Sequence, residues 1–389
     1  MRITALSGGV GGARFLRGLL AELDSRRAQD PGTRDPGTQD PDTQDHRGEA
    51  AEHDVVVIGN TADDVTLHGL RVCPDLDSVM YTLGGGADDE RGWGRAGETF
   101  AVAGELAAHG DPPDWFSLGD KDLATHVLRT RLLAEGVPLS AATARLCERW
   151  RPGVRLLPMT DDPVETHVVV DAADAPDRGG SVVSPLAGGL AGPGERALHF
   201  QEWWVRHHAV PPARRIAVAG ARAARPGPGV LEALRDADVV LLPPSNPVVS
   251  LGAVLAVPGV REALRATRAP VVGVSPVVGG APVRGMADAC LRAVGVPTTA
   301  AAVAGLYADV LDAWLVDPAD APGRDDRALA GRSADDLRVR AEPLLMTTPA
   351  DAARIAGAAL DLAAELADLD VRPRSSSGSV PIAHAGLAA

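Results

Sequence analysis

Apolar runs of strand length, closed by glycine or proline and followed by segments of helical periodicity, recur along this chain. They are RITAL at the start, DVVVIG at 54–59, IAVAG at 216–220, DVVLL at 238–242 and PVVGVS at 270–275. A run with no polar face must be covered on both sides, as a parallel strand is by helices. The alternation predicts an α/β fold built on a doubly wound, mostly parallel sheet. Segments 101–108, 122–135 and 141–150 carry Ala and Leu at helical spacing, which predicts a helical layer inserted at about 97–150. Residues 349–369 read as an Ala-rich amphipathic helix, so one domain is expected over 1–371. The near-repeats DPGT, DPGT and DPDT within 25–53 have no apolar period, and the tail 372–389 has no packing pattern. Both are expected to be disordered.

Charge narrows the partners. With 38 Lys plus Arg against 52 Asp plus Glu, the net charge of -14 repels duplex nucleic acid and anionic membranes. Phosphate would have to be held locally, by backbone amides, a few basic side chains or a metal. Cys73, Cys147 and Cys290 are scattered without CxxC spacing and read as buried free thiols. The uncharged stretch 239–260 contains five residues, Pro243, Pro244, Asn246, Pro247 and Pro258, that suit a strand, loop and short helix better than a membrane span. The opening MRITALSGGVGG breaks into glycine too early for a signal-peptide core, so a cytoplasmic protein is expected.

The residues with chemical potential cluster after apolar runs. Ser7, Gly8, Gly9, Gly11 and Gly12 lie between a strand and a helix, where amides and the helix dipole can cradle phosphate. The dinucleotide fingerprint fails, since Arg14 holds the third glycine position, and no Walker lysine follows. GNTADD brings Asn60, Thr61, Asp63 and Asp64 to the carboxyl end of the next strand, and CPDLDS adds Asp75 and Asp77. Asp77 alone reads equally as a helix N-cap. Four carboxylates beside a phosphate cradle would repel the phosphate unless a divalent cation lay between, and oxygen ligands suit Mg²⁺. Lys121 in SLGDKDLATH, with Arg95 and His126, reads as a ligand contact or as a solvated turn. PPSNPVVS offers Ser245, Asn246 and Ser250, and SPVVGGAPVRG supplies a further loop on the same edge. Trp203 and Trp204 read chiefly as core.

SGGVGGARFL, GNTADDVTLHGLRVCPDLDSVMYTLGG, GWGRAGETF, LGDKDLATH, LLPMTDDPVETHV, HFQEWWV, PPSNPVVSLG and SPVVGGAPVRGMA occur in this order. Together they resemble the transferase family that makes the first phosphodiester of coenzyme F-420, known as CofD in archaea and FbiA in actinobacteria. The resemblance spans about residues 2–369. It implies a Rossmann-like core, a homodimer, and transfer of a phosphoenolpyruvyl or 2-phospholactyl unit from a guanosine diphosphate-linked donor to the terminal hydroxyl of the deazariboflavin FO, with GMP released. It further implies that Asp77 and Lys121 contact FO, and that the NTADD and PDLD carboxylates hold Mg²⁺. Asp63 stands where the family often has Glu. An Ala, Gly, Pro and Arg-heavy composition favours the actinobacterial, phosphoenolpyruvate form. For the acceptor that the resemblance implies, Asp77 would orient or deprotonate the hydroxyl and Lys121 would steady developing charge. The nearest rival is a nucleotide-sugar-binding regulator of the gluconeogenesis-factor type, which would lack the PDLD plus GDKD set. A nicotinamide-dependent oxidoreductase is disfavoured by the failed fingerprint.

Overall fold

Strand β1 (Ile3–Ser7) lies at the middle of the molecule and is wholly buried, as an apolar run without a polar face must be. The structure is a computed structural model that describes residues 1–29, 54–110, 115–175, 180–321 and 337–368, together with the backbone of three two-residue strand pieces outside those spans. The expected disorder at 30–53 and at 372–386 lies outside the described residues, while the backbone of Leu387–Ala388, expected to be disordered, pairs parallel with Ile216 and Ala217.

Seven strands form one sheet, in which β1 pairs with β2 (Val55–Gly59) on one side and β9 (Val239–Leu242) on the other. β5 (Arg155–Pro158) lies outside β2; β10 (Val271–Val274), Ala313–Val316 and Arg338–Ala341 lie outside β9. Every pairing in this sheet is parallel. The chain thus winds outward from β1 in one direction, then returns to wind the other way, which is the Rossmann-like, doubly wound arrangement.

Period-two alternation sends the strand side chains into two cores. Ile3, Ala5, Val55, Val57, Val239 and Leu241 face a layer made by α1 (Gly9–Gln29), α2 (Pro74–Leu83), α5 (Leu139–Trp150) and the helix Pro349–Asp368. Leu6, Ile58, Val240 and Leu242 face the opposite layer, where α6 (Val230–Asp236), α7 (Leu251–Ala256) and α8 (Val260–Ala266) pack. The helical insertion comprises α3 (Ala101–Ala108), α4 (Asp120–Ala134) and α5.

Three expectations change. The IAVAG run forms β8 (Arg215–Ala219) but pairs antiparallel with β6 (Glu165–Asp171) in a second sheet, beside β7 (Glu195–His199). That sheet is buried against the second core, so its strand reads as apolar as a parallel one. Helix α1 continues to Gln29, into the stretch expected to be disordered from 25, because Arg26 bonds Glu22 at 2.7 Å and Asp361 at 2.7 Å, and Gln29 bonds Ser25. Helix α2 starts at Pro74 behind an N-cap at Cys73, so Asp77 is inside the helix and not its cap. Proline has no N–H to satisfy and suits a first turn.

Candidate functional site

β1 and β9 are neighbours whose chain directions of winding part, so the loops leaving their carboxyl ends open a crevice. Three loops meet there. The Ser245 hydroxyl accepts from Gly8 N at 3.1 Å and donates to Gly8 O at 2.8 Å. Asn60 N donates to Ser7 O at 3.1 Å, fixing the loop after β2 to the end of β1. The approach is close enough to require bare backbone: a Cβ on Gly12 would sit 2.2 Å from Ser7 Oγ, and one on Gly11 2.7 Å from Pro244 O. Gly9 has φ +62. Gly8 N and Gly9 N are already engaged, by Ser245 and by the Asp75 carboxylate. The glycines therefore serve loop closure, and phosphate reaching the first turn of α1 must share it with Asp75.

Asn60 donates from Nδ2 to Asp75 Oδ2 at 2.8 Å while its Oδ1 accepts from Ala62 N at 3.0 Å. Asn246 Oδ1 accepts from Val248 N at 3.0 Å and Val249 N at 3.2 Å, turning the chain into α7. Ser250 bonds Asp75 from the opposite loop. Ser7 Oγ, Thr61 Oγ1 and Asp63 Oδ1 are buried without a hydrogen-bond partner.

All four aspartates are buried, but they divide into two pairs. Asp63 and Asp75 flank Asn60 beside the glycine loop. Burial first, then the charge of Asp75, raises the Asp63 carboxyl well above the usual range, against the Asn60 bond. Burial lifts Asp75 to about 6, opposed by Asn60, Gly9 and Ser250. Asp64 and Asp77 face away. Burial pushes Asp64 up to about 7, countered by Arg71 3.7 Å away. Asp77 is gripped by the buried Arg129, which donates from Nη1 to Oδ2 at 3.0 Å and from Nη2 to Oδ1. Among the described residues no three His, Cys, Asp or Glu side chains are arranged to hold a metal ion, so the set does not close into one cage.

Lys121 is exposed at the start of α4, where Nζ donates to Ala96 O at 3.2 Å and its backbone N donates to Glu98. Asp77 meets α4 through Arg129, eight residues beyond Lys121. The helix carries a buried network: His126 Nδ1 lies 3.3 Å from Arg129 Nη1, His126 Nε2 lies 3.3 Å from Asp122 Oδ2, and the Tyr81 hydroxyl donates to Asp122 at 2.5 Å. Burial tends to raise the Asp122 carboxyl, but His126 and Tyr81 outweigh it and hold it low. Arg95 stacks over Trp150 at 4.9 Å. Sequence reasoning missed Arg129, although Asp122, His126 and Arg129 recur at the i, i+4, i+7 spacing of one helical face. Trp203 is core, its indole donating to Pro211 O at 2.9 Å.

The second sheet buttresses this edge through His199, whose Nε2 lies 3.2 Å from Asp64 O while Nδ1 accepts from Gln201 N at 3.1 Å. That pairing requires the neutral ring. Burial and the neighbouring His167 depress the His199 pKa to about 3.

The family described as 2-phospho-L-lactate transferase CofD matches residues 3–343. A phosphoenolpyruvate transferase of Thermobifida fusca is 56% identical over 94% of this chain and 99% of its own length. Another of that name, from Streptomyces coelicolor, is 52% identical over 94% of this chain and 99% of its own. The crystal structure of a UPF0052 family protein from Bacillus halodurans shares the fold, with TM-score 0.52 and 15% identity over 92% of this chain and 98% of that one. No helix among the described residues is long and apolar enough to cross a membrane. A match across nearly the whole chain, laid on a parallel sheet with its polar loops gathered at the switch point, makes this protein a transferase of the CofD family.

Proposed function

We propose that the protein transfers a phosphoenolpyruvyl unit from a guanosine diphosphate-linked donor to the terminal hydroxyl of FO and releases GMP. The name of the two relatives above half-identical supports the transferred unit. The observation that carries the site is the Asp63 and Asp75 pair: two buried carboxylates at the switch point, one with an oxygen that no protein group satisfies. The acceptor oxygen attacks the phosphorus that bears the enolpyruvyl group. The bond from that phosphorus to the bridging oxygen breaks, and the electron pair leaves on GMP.

Such a step needs positioning and charge neutralisation more than a covalent nucleophile. Unpartnered Ser7 Oγ and Thr61 Oγ1 offer hydrogen bonds to donor oxygens, and Ser245 and Asn246 hold the facing loop. The Asp63 and Asp75 pair suits Mg²⁺, since hard oxygen ligands repel one another without a cation; bound there with donor oxygens and water, it would neutralise charge building on the phosphates. Asp63, whose buried Oδ1 has no hydrogen-bond partner at the crevice, takes the acceptor proton. Asp77 instead positions α2 against α4, because both of its oxygens are occupied by Arg129. Lys121, exposed at the rim, meets the acceptor. From the family resemblance we also assign a cytoplasmic homodimer.

Mass spectrometry of a reaction containing FO, the guanylyl-linked phosphoenolpyruvate donor and Mg²⁺ tests the reading. Expected are FO carrying one phosphoenolpyruvyl unit and an equal amount of GMP. Unchanged FO, or GDP as the guanosine product, would overturn it.

A further inference from the structure

We propose that Arg14 and Arg284 form the site for the carboxylate of the transferred group, and so select an acidic donor. The inference rests on the function proposed above. Arg14 is on α1 five residues beyond Gly9, and Arg284 is in the SPVVGGAPVRG loop after β10, a motif left without a role so far. Two facts of geometry bring them together. Arg284 lies against Gly92, where a Cβ would stand 2.4 Å from its Nη2 and 2.5 Å from its Nη1, so the loop is bare where the guanidinium enters. Arg14 Nη2 reaches the same loop at Asp89 O, 3.3 Å away.

Two of that loop's three carboxylates, Asp88 and Asp89, are engaged by other arginines. Arg17 Nη1 bonds both Asp89 oxygens at 3.0 and 2.9 Å, and Arg91 bonds Asp88. Among the described residues, neither Arg14 nor Arg284 has a hydrogen bond or salt bridge to a carboxylate, although Asp89 lies near Arg14. Burial, then the adjacent Arg284 charge, lowers the Arg14 pKa. Like charges held side by side are stabilised by an anion between them. A small, solvent-open cleft adjoins Arg14, lined by Val10 at the glycine loop, by Ser78 and Tyr81 of α2, and by Asp88, Asp89 and Gly92 of the loop that Arg284 touches.

The donor carries three anionic groups. The two phosphates have the crevice hydroxyls and the cation that the Asp63 and Asp75 pair would hold; the carboxylate has no countercharge there. A planar guanidinium fork matches a carboxylate with two parallel hydrogen bonds, which an ammonium cannot do.

The test is calorimetric, on the full chain with Mg²⁺, using two freshly prepared probes: the guanosine diphosphate ester of lactate and that of ethanol. The wild-type chain is expected to bind the lactate ester at least about tenfold more tightly, a charge-assisted pair being worth about that much. In Arg284→Gln and in Arg14→Gln the ratio should fall to near unity while the ethanol ester keeps its Kd within about twofold. Arg284→Lys, at an exposed position that leaves the fold untouched, should recover only part of the ratio. A ratio preserved in both Gln variants overturns the proposal. Equal weakening of both esters also overturns it, and assigns the pair to the diphosphate. Failure of the wild-type chain to bind either ester brings down the proposed function and this inference together.

Discussion

Asp75 and Asp77 are two residues apart on α2, equally short and nearly equally buried, yet they do opposite things. Two residues at 100° each carry a side chain to the other side of a helix. Asp75 therefore points into the crevice, toward Asn60, Gly9 and Ser250, and shares it with the under-satisfied Asp63. Asp77 points into the inserted helical layer, where Arg129 supplies a full counter-charge. A buried carboxylate beside another carboxylate is raised in pKa and waits for a cation; one beside a buried guanidinium holds two elements together. The same residue type thus marks a reactive edge on one side and a structural joint on the other.

Breaking the joint should have the largest effect on stability. Asp77→Asn leaves Arg129 charged and buried, and loss of one partner of such a pair costs about 3 to 5 kcal/mol. At about 2 to 4 °C per kcal/mol, Tm should fall by about 6 °C or more, and Asp77→Asn with Arg129→Met should recover over half of the loss. A single variant that melts with the wild-type protein would erase the distinction. Asp63→Asn and Asp75→Asn should do the reverse. Each removes a strained buried charge, so Tm should hold or rise, while kcat/KM drops at least about 10²-fold, or about 2.7 kcal/mol of transition-state stabilisation. Steady-state rates beside thermal melts separate the two classes.

His199 sharpens the comparison from beneath. Its folded pKa is depressed from about 6.5 to about 3, so its contribution is present above pH 6.5 and is lost progressively as pH falls toward 3. By pH 4.5 the loss should reach about 2 to 3 kcal/mol, read from urea midpoints, and His199→Gln should flatten that slope. The smallest effect belongs to excision of residues 30–53, whose apolar side chains are three prolines and two alanines, Ala50 and Ala51. Loop closure depends weakly on length, so a Tm shift under about 3 °C is expected, and a larger one would show that the segment packs.

Much of this was legible in the sequence, for physical reasons. Continuous apolar runs marked buried strands, and the polar loops after them lay at the sheet's carboxyl edge as chain direction requires. The IAVAG run misled because burial on both faces is common to a parallel strand and to an antiparallel one in a covered second sheet. Asp77 misled because Asp before an apolar helix fits a cap, whereas Pro74 moves the helix start back by four residues. Arg129 and Arg284 were silent because their importance lies in what they meet across the fold, 52 residues away for the pair with Asp77.

Manganese binding, followed by electron paramagnetic resonance in the presence of GDP, tests the division of the aspartates most directly. The Asp75→Asn variant should bind Mn²⁺ at least about tenfold more weakly than the wild-type protein, while the Asp77→Asn, Arg129→Met double variant should bind it within about twofold. Undiminished binding by Asp75→Asn, or loss confined to the double variant, would contradict the account.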